Sequence, residues 1–204
     1  TKNLNPMKNQ ITLVLACLLF CVANAQDMVI ETKSVNIENI ISYVIENMDK
    51  NSEQDSLSSK NITFLIQSAP NGLAIEDKVI LKQTFKLISK RLSEDDSITI
   101  ISYSGINGVV LEKTSPKALK KIMHALENYK SSIKKLHSDG IQLAYTYAQE
   151  NFEEDTSSTV VMIRNPKASS ASYIQNAEGP KKKSNTILIT AIGLLPEIIS
   201  LIKD

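Results

Sequence analysis

Two polar side chains, Gln67 and Asn71, follow an apolar run in a pattern that is typical of a binding loop in an α/β sheet. The run, residues 62–66, predicts a buried parallel strand, and turn-forming residues and an amphipathic helical pattern come after it. Open α/β sheets bind ligands in the crevice outside the carboxyl ends of their strands. A hard divalent cation would need carboxylate oxygens in this loop, but no aspartate lies between residues 55 and 77. The loop is therefore expected to bind its ligand without a metal.

The other reactive side chains form no recognised catalytic set. The sequence has no glycine-rich phosphate loop, nucleophile elbow or paired-histidine zinc motif. The acidic turn at residues 94–96 lacks the alternating spacing and the glycine of a calcium loop, so it is interpreted as a solvated turn. His124 lies beside apolar positions of a helical pattern and is interpreted as structural, and the lysines at 181–183 as part of a solvated loop. No catalytic residue and no cofactor are therefore predicted.

The N-terminal segment has the features of a secretion signal. Lys8 supplies the positive charge, residues 11–22 the apolar core, and Ala23-Asn24-Ala25 a small-residue cleavage site before Gln26. The apolar core is too short to span a bilayer comfortably, which favours cleavage over anchoring. We therefore expect residues 1–25 to be upstream residues and signal peptide. The mature protein is expected to be exported, either periplasmic or extracellular at the cell surface, with membrane contact only through the signal segment before cleavage.

Cleavage would remove both cysteines, Cys17 and Cys21, and leave neither a disulfide nor a thiolate nucleophile. A lipoprotein with a lipidated Cys17 is an alternative, although it would leave only Ile11 to Leu15 as the apolar core. Without Lys2 and Lys8 the 23 basic residues fall to 21, against 22 acidic ones. This near-neutral balance argues against a general nucleic-acid binder.

Beyond the signal, residues 26–60 are predicted to hold an amphipathic helix and a polar linker. Apolar residues recur at helical spacing from residue 37 to residue 48, and residues 49–60 are polar. The helix is expected to pack on the domain or on a neighbour, or alternatively to bind in a partner's groove. The remaining residues, 61–204, are assigned to one α/β domain.

In residues 61–204 strands and helices alternate, which favours a three-layer α/β sandwich with a mostly parallel central sheet flanked by helices. Strand 62–66 is expected at the centre because it is the most uniformly apolar early strand. Strands 97–103 and 108–112 are close enough in sequence to predict an antiparallel edge pair. The other predicted elements are a helix that buries Leu81, Phe85, Ile88 and Leu92; a helix opened by Ser115-Pro116 that buries Leu119, Ile122, Met123 and Leu126; a helix from Asp139 that buries Ile141, Ala144, Tyr145, Ala148 and Phe152; a strand at 159–163; a polar loop at 167–183; a strand at 186–192; and a helix from Pro196.

Four stretches in this order resemble the von Willebrand factor A (VWA) domain family, particularly its bacterial exported members. They are NITFLIQSAPNG, SEDDSITIISYSG, GVVLEKTSPKALKKIMHALENY and DGIQLAYTYAQENF, within residues 61–166. The resemblance implies a VWA-like, Rossmann-like fold with a divalent metal held by an Asp-x-Ser-x-Ser loop after the first strand. Gln67, Ala69 and Asn71 stand at the three ligand positions of that loop.

The resemblance places the two remaining metal ligands, a threonine and an aspartate, at Lys135 and Arg164. His137 lies in the same loop as Lys135. Two cations would oppose a bound metal, so a degenerate, metal-independent adhesion site is expected. The family's helix before the fifth strand and its sixth strand have no clear match, which implies an abbreviated sheet or a piece of a longer chain.

The sequence is therefore interpreted as an exported, non-catalytic VWA-like module that binds a protein partner of the cell envelope. The candidate partner-binding residues are Gln67, Asn71, Lys135, His137 and Arg164. Lys135 and Arg164 are expected to reach the crevice above the first and fourth strands, either to pair with a partner carboxylate or as solvent-facing residues of an abandoned site. The alternatives are an enzyme or enzyme subunit, which a perturbed pKa in a closed pocket would favour, and a structural scaffold or decaying paralogue.

Overall fold

The computed structural model describes residues 29–48, 59–153 and 156–170. The predicted signal peptide and cleavage site lie outside these ranges. So do most of the predicted polar loop and the strand and helix expected after it. Within the described ranges, no helix combines the length and the apolar character needed to cross a bilayer.

The described elements form one five-stranded sheet with helices on both faces. The strand order is β1-β5-β2-β3-β4, and all neighbours are parallel except β3 and β4. In chain order the elements are β1 (Ile30–Asn36), a 3₁₀ turn (Ile37–Asn39), α1 (Ile40–Asn47), β2 (Ser59–Ser68), α2 (Ile75–Arg91), β3 (Ser97–Ser104), β4 (Gly108–Thr114), α3 (Leu119–Glu127), α4 (Tyr129–Ser132), α5 (Gly140–Glu150), β5 (Thr156–Arg164) and α6 (Pro166–Ser170).

β2 lies at the centre of the sheet, as its apolar sequence predicts. Phe64 of β2 pairs with Ile100 of β3 on one side and with Val161 of β5 on the other. Both faces are covered, so residues 61–66 are buried. The predicted antiparallel edge pair is also confirmed, with Ile101 of β3 opposite Val109 of β4.

The sheet separates two hydrophobic clusters and so forms the middle of three layers. On the α2 face, helices α1, α2 and α3 bury a cluster that includes Phe64 and Phe85, whose rings meet edge-on at 4.9 Å. On the α5 face, Leu143 of α5 packs in a smaller cluster with Leu65 and Ile101. This arrangement confirms the expected three-layer α/β fold.

β1 was not expected, because the sequence analysis places only a helix and a linker in residues 26–60. It pairs in parallel with β5, with Val35 opposite Ile163. Val35 is the one buried residue of β1, so the strand shows no apolar alternation. The helical stripe that follows is confirmed, since Ile40 and Val44 are fully buried. The sheet and its core therefore include residues that precede the strand at residue 61.

The helix boundaries differ from the expectations in three places. α3 begins at Leu119, and the Ser115-Pro116 pair forms a turn before it. α5 begins at Gly140 but buries Leu143, whereas Ile141 is exposed. A Cβ on Gly140 would lie 2.7 Å from the Ser102 carbonyl oxygen, so this close approach turns Gly140 toward the sheet and Ile141 outward. Residues 166–170, at the start of the predicted loop, are helical.

Replacing Gly105 by alanine should destabilise the fold. A Cβ there would lie 2.2 Å from the carbonyl carbon and 2.3 Å from the carbonyl oxygen of Ala69, so the loops after β2 and β3 would have to separate. We expect Gly105→Ala to lower the free energy of unfolding by about 2–3 kcal/mol in denaturant titrations. Ser138→Ala, in a neighbouring exposed loop, should change it by less than about 0.5 kcal/mol. Equal denaturation midpoints for the two variants would contradict the close approach of Gly105 to Ala69.

Candidate functional site

The carboxyl ends of β2, β3 and β5 meet at one edge of the sheet, which we call the C-terminal edge. The loops after these strands, residues 69–74, 105–107 and 165, lie along it. β3, the next strand along the chain, lies on one side of β2, and β5 lies on its other side. The crevice between β2 and β5 is therefore the topological switch point, where α/β sheets bind their ligands.

Asn71 lies at the rim of this crevice because the loop after β2 closes in a tight turn. The Gly72 amide donates to the Ala69 carbonyl at 2.9 Å, and the Ala69 amide donates to the Gly72 carbonyl at 3.2 Å. Gly72 has a φ of 99°, which glycine adopts without a Cβ clash. Pro70 and Asn71 are consequently exposed at the tip of the turn.

The side chain of Gln67 is engaged within the protein, because its Oε1 accepts a hydrogen bond from the backbone amide of Asn165 at 2.9 Å. Asn165 is 2% exposed, and its Nδ2 donates to Asp77 Oδ2 at 2.6 Å. Asn165 Oδ1 in turn accepts from the Lys167 amide at 3.2 Å. We call the set Gln67, Asn165 and Asp77 the edge clasp. It joins the end of β2, the first turn of α2 and the residue after β5.

Asp77 is a buried carboxylate, 5% exposed, in the first turn of α2. Burial raises the pKa of Asp77, and the hydrogen bonds from Asn165 and from the Ala74 backbone amide oppose that rise without cancelling it. The nearby charge of Lys167 also lowers this pKa, and that of Glu76 raises it. Sequence reasoning missed Asp77, although an acid three residues after the helix N-cap is a known capping signal.

A pocket of ≈ 150 Å³ opens at the crevice beside the edge clasp. It is lined by Ala69, Asn71, Gly72, Leu73, Ala74, Asp77, Asn165, Lys167 and Ala168. Asp77 supplies the carboxylate of this lining, and Leu73 and the alanines supply apolar walls. Across the described residues, no group of three or more His, Cys, Asp or Glu side chains is placed to hold a metal ion.

Arg164 lies at the C-terminal edge on the α5 face. Ile66 pairs with Ile163, and Gln67 pairs with Tyr103, so Arg164 and Tyr103 lie on the two strands that flank Gln67. Burial raises the pKa of Tyr103, and the nearby positive charge of Arg164 lowers it. Arg164 itself is exposed. A cation and an aromatic ring thus stand together at the end of the central strands.

Lys135 is far from the crevice, so the expectation that it shares this site with Arg164 is wrong. Its Nζ lies 2.8 Å from Glu112 Oε1 and 5.3 Å from the centroid of the Tyr147 ring. The pair with Glu112 raises the pKa of Lys135. Glu112 belongs to β4, which two strands separate from β5, about 14 Å away. The cause is a backbone bridge between Val109 and the residue before Lys135, which holds this loop against β4.

His137 is exposed and helps to order the same loop. Its Nδ1 accepts from the Asp139 amide at 3.0 Å, and its own amide donates to the Asn107 carbonyl at 3.1 Å. Asn107 Nδ2 donates to the Ser138 carbonyl at 2.8 Å. His137 therefore lies beside the turn between β3 and β4, at the C-terminal edge but on the opposite side of β2 from the pocket.

Three exposed large hydrophobic side chains also lie along the C-terminal edge. Ile75, 76% exposed, begins α2, and Ile141, 40% exposed, is the second residue of α5. Leu136, 74% exposed, lies beside Gly108 at the start of β4. The other exposed large hydrophobics of the described residues are Val29, which precedes β1, and Val79, which lies along α2. Sequence reasoning missed this apolar group, because it assigned Ile141 to the core.

Neither a family model nor a solved structure matches the chain. Among curated proteins, the chain is 25% identical over 108 residues to an uncharacterized protein, YfbK, of Escherichia coli strain K12. The matched region covers 53% of this chain and 19% of that relative, so the chain spans less than a fifth of the relative's length. This similarity assigns no activity, because the relative is itself named as uncharacterized.

The C-terminal edge should bind no divalent metal. Gln67 Oε1 is occupied by the Asn165 amide, and the pocket presents a single carboxylate where a hard cation needs several oxygen ligands. Calorimetry with calcium, magnesium and manganese should therefore show no saturable binding. Stoichiometric binding of any of these ions that Asp77→Asn abolishes would contradict this reading of the edge.

The raised pKa of Asp77 predicts a pH dependence of stability. The carboxyl of the unfolded chain ionises near its ordinary value of 3.8, whereas the folded protein keeps the proton to a higher pH. Its contribution to the free energy of unfolding is therefore fully present below 3.8 and is lost as the pH rises through the raised pKa. We expect Asp77→Asn to remove this loss in denaturant titrations over a pH series.

The matched control is Asp95→Asn, which neutralises an exposed carboxylate in the turn after α2. This variant should keep the wild-type pH profile. Parallel pH profiles of the wild type and Asp77→Asn would show that Asp77 does not titrate differently in the folded and unfolded states.

Proposed function

We propose that this protein is an exported, non-catalytic VWA-like module that binds a partner protein of the cell envelope through its C-terminal edge, without a metal. The resemblance of residues 61–166 and the three-layer α/β fold support the module type, and the signal-like N-terminal segment supports export. The observation that carries the proposal is the group of exposed apolar side chains at this edge, Ile75, Leu136 and Ile141. These side chains share the loop edge at which open α/β sheets place their binding sites.

Arg164 and Tyr103 give this edge the composition of an interface. Arginine and tyrosine are enriched in protein interfaces and among the residues that dominate their energy. Because Arg164 is exposed beside Tyr103, its guanidinium can form two parallel hydrogen bonds with a carboxylate of the partner. Asn71 and His137 supply polar groups at the two sides of the edge. The partner surface is therefore expected to be apolar with at least one acidic side chain.

The edge clasp supports binding without a metal, because it orders the loops before any partner arrives. Gln67 acts through Asn165 and is assigned a positioning role rather than direct contact with the partner. Loops held by internal hydrogen bonds lose less conformational entropy on binding. A metal ion would be redundant as the link between β2 and β5.

A second candidate function, an enzyme, is favoured by one observation, the raised pKa of Asp77 in a pocket. The carboxylate is held by Asn165 and by the Ala74 amide, which accounts for Asp77 as a capping and linking group. The pocket lining contains no histidine, cysteine, serine or second acid to act with it. Binding is therefore preferred over catalysis.

Arg164→Ala and Ile141→Glu should weaken binding of the partner. Immobilised protein would capture partners from a cell-envelope extract, and the partner recovered would be purified and titrated by calorimetry. Loss of the Arg164 pair should raise Kd about fivefold or more, about 1 kcal/mol. Ile141→Glu should weaken binding further, because it places a charge in the apolar part of the interface.

Two matched controls share the chemistry of these changes but lie elsewhere. Lys113→Ala removes a cation that pairs with Glu153 at the opposite edge of the sheet, and Val29→Glu introduces the same charge before β1. Both should leave Kd unchanged. A partner that binds all four variants with wild-type affinity would refute the assignment of the C-terminal edge.

A further inference from the structure

The pocket beside Asp77 lies where the fold itself favours a ligand. Its lining comes from the loop after β2 and from the turn after β5, the two sides of the topological switch point. Of the partner-binding residues named so far, Asn71 lines this pocket. Arg164 and Tyr103 lie on the α5 face, and Leu136 and His137 lie near β4.

The Asp77 carboxylate still has capacity to accept hydrogen bonds from a ligand. A carboxylate offers about four lone-pair sites on its two oxygens. Asn165 Nδ2 and the Ala74 amide account for two donors in the described part of the chain. About two acceptor sites therefore remain on Asp77, which lines the pocket.

The charges around the pocket favour a cationic ligand. Glu76 lies close enough to Asp77 to act on it electrostatically, and Lys167 carries a positive charge nearby. The Lys167 ammonium, however, pairs with Glu38 Oε1 at 3.0 Å. Because Lys167 is engaged by Glu38, the single carboxylate of the lining, Asp77, forms no ion pair in the described part of the chain. A buried carboxylate of this kind gains most from a donor that carries positive charge.

The size of the pocket limits what can enter. A cavity of ≈ 150 Å³ is comparable to one that takes a benzene-sized molecule, of about six heavy atoms. Leu73, Ala74 and Ala168 provide apolar walls that suit a short aliphatic stem. An ammonium or guanidinium group at the end of such a stem meets both requirements.

We propose that this pocket binds an organic cation, an ammonium or guanidinium group on a short aliphatic stem, through the Asp77 carboxylate. The cation lies between the Pro70–Asn71 turn and the residues after β5 and donates to Asp77. Its source is a lysine or arginine side chain of the partner or a free small amine. The assignment to a side chain of the partner rests on the proposed function, because the pocket opens at the same C-terminal edge.

Backbone amide spectra of ¹⁵N-labelled protein test the pocket without any partner. The probes are methylguanidinium and n-butylammonium, with n-butanol and butyrate as neutral and anionic counterparts of similar shape. The cations should cause saturable shifts of the Gly72, Asp77 and Ala168 amides. The neutral and anionic probes should not. Shifts of equal size with n-butanol, or none with either cation, would overturn the proposal.

Two variants and one control assign the effect to the pocket. Asp77→Asn should weaken cation binding at least tenfold, whereas Asp95→Asn, which removes an exposed charge elsewhere, should leave it unchanged. Asn71→Phe alters an exposed residue at the rim and should block entry while the fold persists. It therefore serves as the test if Asp77→Asn does not fold. Wild-type cation affinity in the folded variants would refute the site.

Peptides separate the two sources of the cation. A short peptide with one arginine, compared with the same peptide carrying citrulline, should shift the same amides only in its arginine form if a partner side chain is the ligand. Binding of small amines without binding of the peptide would assign the pocket to a free amine. If the wild-type protein binds neither cation but still captures a partner through Arg164 and Ile141, the pocket proposal alone is refuted. If Arg164→Ala and Ile141→Glu capture the partner as well as the wild type does, the proposed function alone is refuted.

Discussion

Asn165 makes the hydrogen bonds on which the C-terminal edge depends. Its amide donates to Gln67 and its side chain to Asp77, so one buried residue joins the end of β2, the start of α2 and the end of β5. Each of these groups is costly to bury without a partner. The clasp therefore links these three elements with neutral amides and one carboxylate, and in the proposed module it would stand in place of a metal ion. Asp77 and Asn165 also line the pocket, so the clasp orders part of its wall.

Close approaches of backbone complete the edge. Gly105 brings the loop after β3 against Ala69, and Gly140 brings the start of α5 against the end of β3. The Asp139 carboxylate caps α5 by accepting from the Ile141 and Gln142 amides at 2.8 and 3.1 Å. These contacts turn Ile141 to solvent at the start of α5, next to the end of β3. The surface proposed to bind a partner is thus a consequence of how the loops pack.

Much of the fold could be predicted from the sequence, because local patterns specify it. The apolar run of β2 predicts a central strand, and the helical stripes predict which faces of α1, α2 and α3 are buried. β1 could not be predicted, because it is an edge strand with only Val35 buried. The clasp was missed for a different reason. Asp77 and Asn165 are 88 residues apart, and no local pattern marks the pair. Lys135 was misplaced because a backbone bridge to β4 sets its position.

A double-mutant cycle between Asp77 and Asn165 tests the edge clasp most directly. The free energies of unfolding of Asp77→Ala, Asn165→Ala and the double variant would be measured in the presence of a chelator. If the two side chains stabilise the edge together without a metal, the cycle should give a coupling energy of about 1–3 kcal/mol. Effects that add to within about 0.3 kcal/mol would show that the two residues act independently, and would contradict the account.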